Sequence, residues 1–575
     1  SFGVSDLGSL ISAVSYGFSS YLVCHAFHPM MLAHCAWFPL AWMYFRAALI
    51  NENDGFIKRL RSALLSGLTL GVMMLSGHPQ TTLYLTLFLF FFTLWFGARL
   101  AGASGGESQF QAKLNAKFNA AAFGALAAAP VLVGAGIFAI QLLHSQEFAA
   151  YSERSDFSLE KASMGALELK QIWTLIVPKL FGYSASAQSP EPLAAPFMLG
   201  SGGNYYYWET AFYVGVPALI LGVIGFIIGV PSSERQNLGG FLLFACVFSF
   251  AYALGLNGFL FEQFFRLPLF DRFRIPSRML IFASLALSVM AGVGFDALRR
   301  ASLRVVLGVG GGVMAIAALG GLGVLPSLAG APPELAERYA AVLRGFGWTA
   351  FVFAALCTAL AFVVHRGFAP ATLAGGAIAA LAFLDLSLTN GGFNQNMAEP
   401  SEAYRRNDAI IPATLRADGV SPDSLFRVSI RGEGALLMPQ NQGLFTPIML
   451  YEGYMPILIR RRLPLAPSAE TTLDLLNIRL AVARGENGVT LRERSGYFPR
   501  ARLVFDAVIA TPETAGERAK SGEIDFRRQV LVEEPLPLTL PARAPEETRH
   551  AIRCLQYSAN SMTYEIDTDE NGVAV

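Results

Sequence analysis

Residues 371–408 read ATLAGGAIAALAFLDLSLTN followed by GGFNQNMAEPSEAYRRND, and the change of character at Asn390 decides how the chain is organised. The first part is a nearly uncharged run interrupted only by Asp385; the second brings Glu399, Glu402, Arg405, Arg406 and Asp408 within a short space. A hydrocarbon core about 30 Å thick needs about 20 apolar residues per helix, and 371–390 is such a run. Upstream, further runs of this kind follow one another. Downstream, residues 391–575 carry 45 of the chain's 85 Asp, Glu, Lys and Arg residues. The fold class read from this contrast is an α-helical polytopic membrane protein. A transmembrane bundle covers 1–390, and a strand-rich soluble domain covers 391–575.

Composition agrees with that division. A hydrophobic fraction of 53% with only 15% charged residues lies outside the soluble norm. The net charge of +1 implies no nucleic-acid partner, and the tail, with 24 acidic and 21 basic residues, reads as an ordinary solvated surface. Cys24, Cys35, Cys246 and Cys357 lie in apolar runs and Cys554 stands alone in the tail, so neither a disulfide framework nor a cysteine metal site is expected. No signal-peptide n-region precedes the first apolar run. Both ends of the chain read as cut.

Eleven spans are expected, near 8–27, 29–47, 62–77, 81–98, 119–142, 209–229, 239–255, 277–296, 304–325, 347–365 and 371–390. Glycines such as those between Gly308 and Gly323 allow close helix approach. Over the short loops, twelve Lys and Arg on one side face six on the other, so the positive-inside rule places the 143–208 loop, the 256–277 loop and the C-terminal domain on the outer side. In the tail, Leu425–Ile430, Arg502–Phe505 and Gln529–Val532 read as strands, and Ser401–Arg416 and Thr471–Ile478 as helices.

Candidate chemistry gathers on that outer side. The turn Ser76-Gly77-His78-Pro79-Gln80 offers hydrogen-bond donors and an acceptor at the membrane face, though a polar turn there needs no function. The long loop contains Tyr151-Ser152-Glu153-Arg154-Ser155-Asp156 and ends in Tyr205-Tyr206-Tyr207-Trp208-Glu209, an aromatic cluster that an interfacial belt also explains. Phe273-Arg274-Ile275-Pro276-Ser277-Arg278 leads into a span. Guanidinium forks match phosphate oxygens, so Arg154, Arg274 and Arg278 can hold a phosphate or diphosphate head group. Equally, they can form a membrane-face charge cluster with Asp271 and Glu153. No metal site is expected at His25, His28 and His34, because no carboxylate or cysteine accompanies them at ligand spacing. Phosphate-loop, Gly-x-Ser-x-Gly and His-Glu-x-x-His motifs are absent.

Taken in order, these motifs resemble the YfhO-like bacterial membrane proteins, polytopic members of the GT-C glycosyltransferase architecture. The marks are Tyr16-Gly17-Phe18-Ser19-Ser20-Tyr21 ahead of Trp37-Phe38-Pro39-Leu40; Gly77-His78-Pro79-Gln80; and Gln141-Leu142-Leu143 leading to Glu147 and Ser152-Glu153-Arg154. They continue with Tyr213-Val214-Gly215-Val216-Pro217, Phe273 to Arg278 and Ala291-Gly292-Val293-Gly294. The tail adds Leu475 to Val482 and Tyr497-Phe498-Pro499-Arg500-Ala501. The resemblance spans essentially the whole chain.

It implies a GT-C-like bundle in the inner (cytoplasmic) membrane that transfers a sugar from a polyprenyl-phosphate carrier to a cell-envelope acceptor on the outer face. His78, Gln80, Glu153, Arg154, Glu209, Arg274 and Arg278 are the substrate-binding residues expected on this reading. The family's catalytic carboxylate, with which a divalent cation can act, belongs to a first outer loop that is expected upstream of Ser1. No residue of this chain is assigned as the base.

A second reading is a non-catalytic accessory or scaffold subunit of a larger membrane complex, an energy-converting or pigment–protein assembly. His25, His28 and His34 would then be axial ligands to a tetrapyrrole. A transporter is disfavoured, because charges in mid-span mark substrate paths and are nearly absent here.

Overall fold

The computed structural model describes residues 3–51, 54–100, 109–152, 158–184, 192–193, 207–229, 233–328, 333, 337, 340–393, 425–431, 441–442, 448–453, 470–485, 488–558 and 560–575. The chain divides into two compact units. One comprises 1–150 and 154–395, the other 151–153 and 396–575.

The first unit is helical. It opens with α1 (Asp6–Gly17) and α2 (Ser20–Cys24), each started by a serine hydroxyl that accepts a backbone N–H of the first turn, Ser5 from Gly8 and Ser19 from Leu22. Next come α3 (Pro29–Ile50), α4 (Phe56–Met74), α5 (Pro79–Leu100) and α6 (Gln109–Tyr151). A short α7 (Leu159–Ala162), a β1–β2 pair (Tyr183–Ser184 with Pro192–Leu193) and the single turn α8 (Tyr207–Thr210) lead to α9 (Val216–Ile228) and α10 (Ser233–Ala253). The unit closes with α11 (Leu260–Phe265), α12 (Ile281–Ala297), α13 (Leu303–Gly321), α14 (Val324–Leu328), α15 (Ala340–Arg366) and α16 (Ala371–Asn390).

Seven stretches are long and apolar enough to cross a membrane: Asp6–Cys24, Pro79–Gly97, Ala120–Tyr151, Pro276–Ala297, Leu303–Gly321, Ala340–Arg366 and Ala371–Asn390. Val216–Ile228 and Leu238–Ala253 are shorter apolar helices. The chain is therefore a multi-pass helical membrane protein with seven such spans among the described residues, against the eleven expected. Helix α4 starts with Lys58, Arg59 and Arg61, which accounts for its exclusion. The expected loop at 143–208 also starts later, because α6 stays helical to Tyr151.

Helix α12 is the axis of the unit. It packs against α1, α9 and α10, and 89% of its span is buried, whereas the other spans bury less than half. Small residues make this possible: a Cβ on Gly294 would lie 1.8 Å from the Leu221 carbonyl oxygen, and one on Gly292 would lie 2.3 Å from that of Gly8. Elsewhere the bundle leaves large apolar side chains such as Leu132, Ile140 and Leu373 exposed, as a lipid-facing surface requires.

The second unit is built of small sheets. Strand β3 (Arg427–Ser429) pairs in parallel with β4 (Ile478–Gly485), which pairs antiparallel with β5 (Gly488–Glu493). Val428, Ile430, Ile448, Leu480 and Val482 form the core behind this sheet. Strand β6 (Leu503–Val504) pairs with the last strand, Val573–Ala574. Between them run β7 (Asp506–Ile509) parallel to β8 (Gln529–Val532), then the hairpin β9 (His550–Tyr557) and β10 (Met562–Thr568).

The helix expected over Thr471–Ile478 stops at Leu475, because Asn477 turns into the left-handed region at φ 59° and Ile478 already belongs to β4. Asn477 then donates its side-chain amide to the Phe498 carbonyl at 2.7 Å. The helix expected over Ser401–Arg416 lies outside the described residues.

Candidate functional site

Four segments distant in sequence meet in the first unit: the α2–α3 turn, the α4–α5 turn, α8, and the stretch Arg274–Arg278 that enters α12. The α4–α5 turn depends on Gly77, which sits at φ 87° where a side chain would be strained. Pro79 then opens α5. His78 caps that helix: its Nδ1 accepts the Thr81 backbone N–H at 3.2 Å and lies 2.7 Å from the Thr81 hydroxyl. Burial, reinforced by the Arg278 charge, holds the His78 pKa well below the usual histidine range.

Arg278 is the centre of the site. Its Nε donates to Glu209 Oε2 at 2.9 Å and its Nη2 to Glu209 Oε1 at 2.6 Å, a two-point fork. The remaining nitrogen, Nη1, donates to Gln80 Oε1 at 3.0 Å and faces His78 Nε2 at 3.4 Å. Gln80 is fixed in turn, since its Nε2 donates to the Arg274 carbonyl at 2.5 Å and to the Tyr84 hydroxyl at 3.0 Å. The backbone at Arg278 is also tied, because the Tyr21 hydroxyl donates to its carbonyl at 2.8 Å. Just before it, Ile275 is held at φ 65°, a strained geometry for a β-branched residue.

Two histidines complete the cluster. His25 places Nδ1 2.7 Å from the Tyr21 carbonyl and Nε2 3.1 Å from Glu209 Oε2. His28 is half-buried, and its Nδ1 is enclosed without a hydrogen-bond partner. Burial lowers its pKa to about 4. One ring nitrogen of each histidine and one Glu209 oxygen lie within 4.8 Å of one another.

Of the residues expected from sequence, His78, Gln80, Glu209 and Arg278 come together here. Arg274 contributes its backbone carbonyl. Glu153 and Arg154 lie outside the described residues.

Two expectations are corrected. Arg278 pairs with Glu209, 69 residues away in sequence, rather than with Asp271, while Glu153 and Arg154 lie outside the described residues. His25 and His28 do have a carboxylate beside them, again Glu209, because α8 packs against α2. Asp385, given no role from sequence, accepts from the Tyr213 hydroxyl at 2.7 Å and from Val216 N at 2.7 Å, and so caps α9 within the bundle. A cavity of about 10 Å³, room for roughly one water, is lined by Ser20, Gln171, Thr174, Tyr207, Thr210 and Tyr213 and by neither Arg278 nor His78.

The arrangement binds better than it reacts. Both Glu209 oxygens are engaged, so this carboxylate is poorly placed to accept a further proton. What the cluster offers is a guanidinium edge: Arg278 Nη1 lies 3.0 Å from Gln80 Oε1 and 3.4 Å from His78 Nε2. Arg278 keeps 12% of its side chain exposed and His78 is half-buried, so this edge of the cluster is reachable.

No protein-family model matches the chain, and neither does any curated protein or solved structure.

Proposed function

We propose that the chain is a GT-C-like membrane glycosyltransferase that takes its sugar from a polyprenyl-phosphate carrier and passes it to a cell-envelope acceptor on the outer face of the inner membrane. One observation carries this reading: the Arg278 guanidinium, with Nη1 3.4 Å from His78 Nε2, sits at a partly exposed edge of the cluster and keeps its positive charge there. An anionic oxygen beside this edge can accept from the guanidinium, and a phosphate diester at the end of a lipid suits a cluster set among apolar helices. Glu209 and Gln80 orient the guanidinium. Its charge then favours the carrier phosphate released as the sugar leaves, which is where negative charge grows during transfer. His78, whose pKa lies well below the usual histidine range, stays neutral beside the guanidinium and adds no second buried cation.

The second reading, an accessory subunit that holds a lipid-linked ligand without transferring it, is favoured by the complete engagement of Glu209. Reconstituted protein supplied with a radiolabelled polyprenyl-phosphate sugar and envelope acceptors distinguishes the two. Labelled acceptor and free polyprenyl phosphate support the enzyme. Bound carrier that is never turned over supports the accessory role.

A further inference from the structure

We infer that His25, His28 and Glu209 form a binding site for a divalent transition ion, with zinc the best fit to the donor set. Two histidines and one glutamate are a ligand set used by zinc sites that keep a fourth position open. Their ligand atoms already lie within 4.8 Å of one another, and the His25 Nε2 to Glu209 Oε2 separation is 3.1 Å, close to the spacing of two donors on one small ion.

The surroundings match as well. A metal-bound histidine typically donates its other ring N–H to a carbonyl or carboxylate, and His25 Nδ1 lies 2.7 Å from the Tyr21 carbonyl, which leaves Nε2 for the ion. Glu209 is held from behind by the Arg278 fork, which fixes its orientation. His28 has an enclosed Nδ1 with no partner, while its half-buried ring leaves an entry path from the surface. The site uses Glu209, His25 and His28 of this chain and does not depend on the outer-loop carboxylate implied by the family resemblance, nor on the carrier reading.

The test is metal binding by the full chain in detergent or nanodiscs, stripped with a chelator and titrated with Zn²⁺ or Co²⁺ alone. One ion per chain is expected. His28→Ala should weaken binding by more than about a hundredfold, beyond the loss typical of an outer-shell change. His34→Ala should leave binding unchanged, since His34 is committed to the Met30 carbonyl, Ser76 and Thr82. His28→Cys should keep Co²⁺ and add a thiolate-to-cobalt charge-transfer band, a signal that misfolding does not produce. Failure of the wild-type protein to bind Zn²⁺, unchanged binding in His28→Ala, or a Co²⁺ complex of His28→Cys without the new band would overturn the inference.

Discussion

Arg278 grips Glu209 at two points, Nε to Oε2 at 2.9 Å and Nη2 to Oε1 at 2.6 Å, and this pair joins the α8 turn to the entrance of α12. Removing one member of a buried pair leaves the other charge uncompensated, at a cost of about 3–5 kcal/mol. Glu209→Ala should therefore lower the melting temperature of the purified protein sharply. The double variant Glu209→Leu with Arg278→Met should recover most of that loss, because an apolar pair of similar volume removes both desolvation penalties. Equal instability of single and double variants would show that the pair is not what joins these elements.

The His78 environment sets a pH dependence. Its folded pKa lies well below the ordinary value of about 6.5, so the unfolded state takes up the proton first as pH falls. The contribution of His78 is complete above about pH 6.5 and is lost progressively below it. Melting temperatures measured between pH 7.5 and 5 should fall, and His78→Gln should flatten the slope. A variant that retains the full slope assigns the effect to other groups.

Asp385 and Tyr213 make a second buried polar contact, with the hydroxyl 2.7 Å from both carboxylate oxygens. Tyr213→Phe should destabilise the bundle by roughly 1.5–3 kcal/mol, the scale for a hydrogen bond to a charged group. Urea unfolding in mild detergent reads this directly, and an unchanged midpoint would mean that the Val216 N–H alone suffices for Asp385.

Orientation can be read from one thiol. Cys24, Cys35, Cys246 and Cys357 are buried, whereas Cys554 is partly exposed in the second unit. With residues 391–575 on the outer side, a membrane-impermeant maleimide added to intact cells should label Cys554. Labelling that appears only after lysis would place the domain inside.

The helical character and the strand at Gln529–Val532 were legible because period and length are local properties. Seven helices among the described residues are long and apolar enough to cross a membrane, and α4, which combines apolar residues with Lys58, Arg59 and Arg61, is not among them. Within the site, His78, Gln80, Glu209 and Arg278 stood out as polar groups beside apolar runs, a signal that residue type alone supplies. Their pairing was hidden: the Glu209–Arg278 fork and the approach of His25 and His28 depend on α2, α8 and α12 packing together.

Arg278, with His78 beside it, is proposed to hold the phosphate of a polyprenyl carrier. The most direct measurement is the Kd of a polyprenyl phosphate for nanodisc-reconstituted protein, wild type against Arg278→Lys and His78→Ala, with folding of each confirmed by its melting curve. An ammonium cannot keep the fork on Glu209 while reaching a phosphate oxygen. A charge-assisted contact of roughly 1.5–3 kcal/mol then corresponds to a loss of about ten- to a hundredfold for Arg278→Lys. His78→Ala, which removes the neutral ring beside Arg278 Nη1, should cost up to about tenfold. Folded variants that bind the carrier as tightly as wild type would contradict the account.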